Sequence, residues 1–211
     1  VIVPSLLSNV LFSSYEEVHF LLEGTINSVG SLFKWLEAEL DISHENMLWH
    51  ERCGAKTNGV LVPGLSGISS PYWTGEFHTK IFGLDSNATS NDFVRAGMES
   101  VGLLVHDICA TINDETKINL GDIIASGGSS HKPLMQFIAD ILNKDVATSN
   151  SKDMTALGVA RLVANKAFSR PLGEKIKIEE NFVPNMGHKE RRKKLLVWHN
   201  ALKKLSIIKN G

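Results

Sequence analysis

The chain contains the stretch Ile123-Ile-Ala-Ser-Gly-Gly-Ser-Ser-His-Lys-Pro-Leu-Met-Gln-Phe-Ile-Ala-Asp-Ile-Leu142. It opens with two β-branched residues, continues through a glycine pair among small hydroxyl residues, and ends with apolar residues at helical spacing, namely Leu134, Phe137, Ile138 and Ile141. This pattern predicts a short strand, a turn and an amphipathic helix in direct succession.

The pair Gly127-Gly128 makes this turn a candidate nucleotide site. Glycine has no Cβ, so a phosphate or an adenine ring can approach the main chain closely. The helix that follows offers unpaired N–H groups and a partial positive charge to an anion. A glycine pair between a strand and a helix is also a common plain connection, and the spacing alone does not distinguish the two interpretations.

The flanking sequence predicts further helices and strands. Apolar residues at helical spacing predict helices over 25–40, 92–116, 153–168 and 186–211, the last of them basic. Short apolar runs predict strands within 1–12 and over 18–22, 59–63, 79–84 and 145–148. Because strands alternate with helices across the second half, we expect an α/β fold with helical layers on a sheet.

The composition narrows the class of protein. With 211 residues, 43% of them hydrophobic and 21% charged, the chain fits one large or two small globular domains. Its net charge of -1 argues against a nucleic-acid surface, and the basic run 189–194 fits the solvated face of a terminal helix. No apolar run approaches the ~20 residues of a membrane span. Two cysteines are too few for a disulfide scaffold, so we expect a soluble protein of the reducing cytoplasm.

The residue pattern predicts neither a metal centre nor a catalytic nucleophile. No two of the eight histidines have the i, i+4 spacing with an intervening glutamate that zinc hydrolases use. Ser66, within Gly64-Leu-Ser-Gly67, lacks the strand, elbow and helix order of a hydrolase nucleophile. Carboxylates are abundant, but no pair stands out as an acid and a base. We therefore assign no catalytic and no metal-binding residue.

Four blocks of sequence follow one another along the chain. They are Gly59-Val-Leu-Val-Pro-Gly-Leu-Ser-Gly-Ile-Ser-Ser-Pro-Tyr-Trp73; Thr79-Lys-Ile-Phe-Gly-Leu84 with Asp92-Phe93 and Met98-Glu99; Ser126-Gly-Gly-Ser-Ser-His-Lys-Pro-Leu-Met-Gln136; and Thr155-Ala-Leu-Gly-Val-Ala160. Together they resemble the two signatures, the adenosine motif and the small-residue helix of the FGGY carbohydrate kinases. The resemblance extends from Glu23 to about Trp198, and it favours the nucleotide-holding interpretation of the glycine turn.

The resemblance implies a fold and a set of partners. It implies that residues 1–211 form the C-terminal domain of an actin-like, ribonuclease H-like ATPase, with a mixed sheet flanked by helices and an incomplete, N-terminally truncated beginning. In this family two similar domains clamp Mg-ATP and a sugar or polyol between them. The partners implied are therefore ATP with Mg2+, the carbohydrate, and a missing N-terminal kinase domain. A homo-oligomer is also implied, although no stripe of residues identifies its interface.

The resemblance also assigns cofactor-binding residues. Gly127 and Gly128 would lie against the adenosine or the α-phosphate, with Ser129 beside them. Gly30 matches a family glycine that approaches the nucleotide, and Lys34, one turn later, would meet a phosphate or ribose oxygen.

The motif that carries the catalytic aspartate of the family is absent from residues 1–12. The complete enzyme would phosphorylate a sugar or polyol hydroxyl, whereas we expect the isolated chain to be inactive.

Two alternatives to a kinase domain stay open. One is an actin-like nucleotide-binding module without phosphotransferase activity, and the other is a nonfunctional remnant of a kinase. Tyr72 and Trp73 fit either sugar stacking or the anchoring of their loop against the sheet.

Overall fold

A computed structural model of the chain describes residues 2–27, 29–151, 153–168 and 176–209. Its elements are β1 (Leu7–Ser13), β2 (Val18–Glu23), α1 (Val29–Glu39), a 3₁₀ turn (His44–Asn46), α2 (Trp49–Arg52), β3 (Val60–Val62), β4 (Lys80–Phe82), α3 (Ser90–Thr116), β5 (Ile123–Ala125), α4 (Lys132–Leu142), β6 (Val146–Ser149), α5 (Met154–Phe168), β7 (Ile178–Phe182) and α6 (His188–Lys204). The predicted strand, turn and helix at 123–142 are confirmed as β5 and α4. The helix predicted over 25–40 is shorter, as is the basic helix predicted over 186–211.

The strands form three small sheets within the described residues. Strands β1 and β2 pair antiparallel, as do β3 and β4. In the third sheet β5 runs parallel to β6, with Ile124 opposite Ala147, and β7 runs antiparallel to β6, with Glu180 opposite Thr148. This third sheet is mixed. The glycine turn directly follows β5, which is one strand of the parallel pair.

Helix α3 forms the centre of the hydrophobic core. Thr89 and Asp92 cap its start, and the Thr89 N–H donates to Asp92 Oδ2 at 2.9 Å. Two glycines let neighbouring helices approach it closely. A Cβ at Gly97 would lie 2.5 Å from Leu36 of α1, and one at Gly102 would lie 2.5 Å from Phe137 of α4. The glycine turn before α4 is therefore carried by a helix that packs directly on the core.

Helix α6 is fastened across α3 and α4 by polar contacts. Lys194 Nζ lies 2.6 Å from Oε2 of the buried Glu99, whose other oxygen lies 2.6 Å from Arg95 Nε. Arg191 Nε donates to the Ile141 carbonyl at 2.7 Å. The basic residues of the C-terminal helix thus include structural cations as well as solvated ones, which corrects the expectation of a purely solvated face.

The β1–β2 hairpin and helix α5 are among the places where apolar side chains are exposed. On the β1–β2 hairpin these are Val10, Leu11, Val18 and Phe20, and on α5 they are Val159 and Val163. The surfaces are linked, because Lys166 Nζ of α5 lies 2.5 Å from Glu17 Oε1 beside the hairpin turn. None of the described helices combines the length and apolar character needed to cross a membrane.

Candidate functional site

A groove of about 570 Å³ opens where β5 and β6 end. Its walls are Ala125 to Gly128 with Ser130 and Lys132 on one side, Thr148 to Ser151 on a second, and Glu179, Glu180 and Phe182 of β7 on a third. Ligands of open α/β sheets bind outside the carboxyl ends of parallel strands, and the volume is in the range of small-molecule sites. The groove therefore lies where the topology favours a ligand.

The glycine turn presents bare main chain to this groove. Gly127 has a φ of +103°, a conformation that residues with a side chain rarely adopt. A Cβ on Gly127 or Gly128 would meet no atom within 4 Å, so both glycines face open space and are not crowded by the protein. The Ser130 N–H donates to the Gly127 carbonyl at 3.2 Å and tightens the turn. The space beside the two glycines is available to a ligand.

The first turn of α4 receives no side-chain cap from its N-cap residue, His131, and Pro133 in this turn has no backbone N–H. Backbone N–H groups at a helix start need partners from outside the helix, and an anion satisfies them while interacting with the helix dipole. The turn and the helix start together can bind a phosphate through the main chain.

Aromatic stacking holds the turn in place. The imidazole of His131 stacks on the indole of Trp49, with ring centroids 5.0 Å apart and planes within 16°. Trp49 in turn packs on Phe33 of α1 at 4.5 Å. Burial lowers the pKa of His131, and the neighbouring charges of His44 and His50 lower it further. The lowered pKa favours the neutral form of His131, and the stacked ring fixes the exposed turn to α1 and α2.

The structure brings only some of the predicted site residues into the groove. Gly127 and Gly128 line it, whereas Ser129 is exposed on the turn beside it. Gly30 and Lys34 are exposed on α1 and do not line the groove. The helix that carries them nevertheless reaches the turn, because the rings of Phe33 and His131 lie 6.4 Å apart.

Sequence reasoning missed the wall that β7 contributes. Its sequence, Ile178-Glu-Glu-Asn-Phe182, does not alternate polar and apolar residues and so gave no strand signal. The strand nevertheless brings Glu180 to Lys132, whose Nζ lies 2.8 Å from Glu180 Oε2.

Among the residues that the structure describes, no group of three or more histidine, cysteine, aspartate or glutamate side chains could hold a metal ion.

The aromatic pair at 72–73 anchors its loop, but not against a sheet. The Tyr72 hydroxyl donates to Asp107 Oδ2 of α3 at 2.7 Å, and the Trp73 indole N–H donates to the Ser5 carbonyl at 2.9 Å. Burial raises the pKa of Tyr72, and the adjacent Asp107 charge raises it further. The anchors are thus a central helix and the N-terminal segment.

The buried Asp107 forms a cluster with Tyr72, Trp198, His106 and His199, here called the Asp107 cluster. The Trp198 indole N–H donates to Oδ2 at 2.6 Å, and His106 and His199 lie 3.1 and 3.0 Å from Oδ1. Burial by itself would raise the pKa of Asp107, but the hydrogen bonds from its four partners outweigh burial and hold the pKa well below its usual range. The carboxylate therefore stays charged and ties the 64–73 loop to α3 and α6.

Comparison with known sequences identifies the family. The model of the "FGGY family of carbohydrate kinases, C-terminal domain" matches residues 3–167. The chain belongs to the FGGY family of carbohydrate kinases and corresponds to its C-terminal, actin-like domain.

Several relatives of the chain are named glycerol kinases. Glycerol kinase 1 of Clostridium tetani is 34% identical over 94% of this chain and 42% of that protein, and the Haemophilus influenzae glycerol kinase is 31% identical over 94% and 41%. Among solved structures, the glycerol kinase of Plasmodium falciparum with ADP superimposes with a TM-score of 0.78 at 26% identity, over 97% of this chain and 42% of that one. The chain thus spans about two-fifths of the length of these relatives.

Proposed function

We propose that the complete protein transfers the γ-phosphate of Mg-ATP to a hydroxyl of a polyol or sugar, and that this chain supplies the adenosine-holding half of the site. The observation that carries the proposal is the position of Gly127 and Gly128, which expose bare main chain beside a groove at the carboxyl ends of β5 and β6. The similarity to a glycerol kinase solved with ADP supports a nucleotide as the ligand. Relatives named glycerol kinase favour a polyol as the acceptor.

Within this proposal the predicted cofactor residues take different parts. Gly127 and Gly128 contact the adenosine or the α-phosphate through the main chain, and Ser129 stands at the edge of that contact. Gly30 and Lys34 are exposed on a helix beside the turn, so Lys34 is free to reach a phosphate or ribose oxygen from outside the groove. Mg2+ bound with the nucleotide would neutralise part of the phosphate charge during transfer.

The proposal assigns the remaining chemistry to the rest of the parent protein. Phosphoryl transfer depends on alignment of the acceptor and on neutralisation of charge at the γ-phosphate, which one half of a clamp does not provide. The exposed apolar side chains of the β1–β2 hairpin and of α5 are suited to contact an N-terminal kinase domain. The isolated chain is therefore expected to hold nucleotide without turning it over.

A second candidate function is nucleotide binding without phosphoryl transfer. It rests on the same groove, in which the bare main chain at Gly127 and Gly128 can hold a nucleotide with or without phosphoryl transfer. The two candidates differ in what the parent protein does with ATP and an acceptor.

The distinguishing experiment is an assay of ADP release with Mg-ATP and glycerol, followed by a panel of pentoses and hexonates. We expect acceptor-dependent ADP release from the parent protein and none from the 211-residue chain. A parent protein that binds ADP but phosphorylates no acceptor supports the binding module. Acceptor-dependent turnover by the chain alone would contradict the assignment of the base to another part of the protein.

A further inference from the structure

An ion pair connects two walls of the groove. The Lys132 ammonium lies 2.9 Å from Oε1 and 2.8 Å from Oε2 of Glu180, so it contacts both carboxylate oxygens. Lys132 is the first residue of α4, directly after the glycine turn, and Glu180 lies on β7. Both side chains are partly exposed, by 58% and 37%. The pair therefore joins the turn side of the groove to its β7 side at a place that solvent and ligands can reach.

The charges along the groove do not favour a polyanion. Among its described lining residues the charged side chains are Lys132, Glu179 and Glu180, which is one cation against two carboxylates. The one ammonium among these described lining residues is already bound to Glu180. A nucleotide phosphate and the Glu180 carboxylate must therefore compete for the same lysine.

The geometry favours movement of the lysine over movement of the glutamate. Glu180 is fixed through its backbone, since it pairs with Thr148 in the sheet register and its carbonyl accepts from Thr148 Oγ1 at 3.5 Å. Lysine has a flexible four-carbon stem and a point charge that can be redirected without a fixed bonding plane. Exposed ion pairs contribute a factor of about five or less to an equilibrium, so a ligand with a charged phosphate can displace this one.

We propose that Glu180 tunes nucleotide affinity by holding Lys132, and that binding transfers the Lys132 ammonium from Glu180 to a phosphate of the nucleotide. This inference rests on the proposed function and deepens it. Lys132 is a nucleotide-contacting residue in this account, and Glu180 acts on the nucleotide through Lys132.

The test is a calorimetric titration of the 211-residue chain with ADP at fixed ionic strength. Glu180→Gln should tighten ADP binding about two- to fivefold, because it frees Lys132. Lys132→Met, which keeps most of the apolar stem, should weaken binding several-fold. The matched control is Glu179→Gln, because Glu179 lines the same groove and makes no ion pair within the described part of the chain. It reports the general effect of removing one negative charge and should tighten binding less than Glu180→Gln.

The double variant Lys132→Met with Glu180→Gln separates transfer of the lysine from simple charge removal. In the absence of Lys132, the effect of Glu180→Gln should fall to that of Glu179→Gln. The inference is overturned if Glu180→Gln leaves binding unchanged or weakens it, if Glu179→Gln matches it, or if its full effect persists without Lys132. An unaltered chain that binds no ADP contradicts the proposed function itself, whereas ADP binding that ignores Glu180 contradicts only this inference.

Discussion

Asp107 and Trp198 form a buried hydrogen bond of 2.6 Å that joins the central helix α3 to the C-terminal helix α6. The same carboxylate accepts from Tyr72, and it lies beside His106 and His199. Removing a buried charge that several donors depend on leaves those donors unsatisfied. We predict that Asp107→Asn lowers the free energy of unfolding by about 3 kcal/mol, within the range for a broken buried network.

Urea denaturation of the chain measures this change. Asp114→Asn is the matched control, because Asp114 is exposed on the same helix, and it should stay within about 0.5 kcal/mol of the unaltered chain. A decrease in the free energy of unfolding below about 1 kcal/mol for Asp107→Asn would mean that the Asp107 cluster does not hold α6 against α3.

The Asp107 cluster also predicts how stability depends on pH. The pKa of Asp107 is lowered in the folded chain, so the folded state binds fewer protons at this group than the unfolded state does. Its stabilising contribution is present above the unfolded pKa of about 3.9 and is lost as the pH falls from there through the folded pKa. Thermal unfolding followed between pH 7 and pH 2 should show a steeper acid loss for the unaltered chain than for Asp107→Asn. Parallel curves would contradict the lowered pKa.

The contact between α5 and the hairpin gives a second titration prediction. The pKa of Glu17 is lowered to about 2, first by its hydrogen bond with His19 and then by that with Lys166. Lys166→Met should therefore raise the pKa of Glu17 towards its ordinary value, and Lys144→Met, which changes a lysine elsewhere, should not. An NMR titration of the Glu17 side-chain carboxyl measures both variants. An unchanged value in Lys166→Met would show that α5 does not contact the hairpin in solution.

Replacing either of two glycines in α3 by alanine should lower the free energy of unfolding, and by different amounts. An added methyl at Gly102 would lie 2.5 and 2.9 Å from two atoms of the rigid Phe137 ring, whereas at Gly97 it would lie 2.5 Å from the end of the Leu36 side chain. We expect Gly102→Ala to cost about 1–3 kcal/mol through overpacking, despite the better helix propensity of alanine. Gly97→Ala should cost less, because a leucine end can rotate. The order of the two losses in urea denaturation checks the account, and a reversed order would contradict it.

Local sequence patterns were sufficient to predict the helix of the site, but they did not predict its contacts between residues distant in sequence. The spacing of Leu134, Phe137, Ile138 and Ile141 was sufficient to locate α4, because helical periodicity is written in neighbouring residues. The pairing of Lys132 with Glu180 spans 48 residues, and that of Asp107 with Trp198 spans 91. No local pattern encodes such contacts, since they depend on how strands and helices pack.

One short helix escaped prediction for a different reason. Helix α2 has four residues, Trp49 to Arg52, which is too few to show a helical period. The role of His131 depends on this helix, because its ring stacks on Trp49. The local pattern therefore located the turn and the resemblance to a family favoured a nucleotide there, while only the structure explains how the turn is held.

The stacking of His131 predicts an effect on nucleotide binding. His131→Ala removes the ring that fixes the turn to Trp49, so ADP should bind several-fold more weakly. His131→Phe retains a ring that can stack and should keep most of the affinity. Calorimetry with both variants checks this. Equal weakening by alanine and phenylalanine would mean that the imidazole acts through its nitrogens and not through stacking.

The central claim is that the groove beside Gly128 holds a nucleotide, and a calorimetric titration with ADP tests it most directly. A Cβ at Gly128 would meet no protein atom within 4 Å, so Gly128→Asp should fold normally while placing a carboxylate in the space proposed for the phosphate or adenosine. Gly121→Asp is the matched control, because Gly121 is equally open and lies outside the groove. We predict that the unaltered chain and Gly121→Asp bind ADP and that Gly128→Asp does not. No binding by the unaltered chain, or equal binding by Gly128→Asp, would contradict the account.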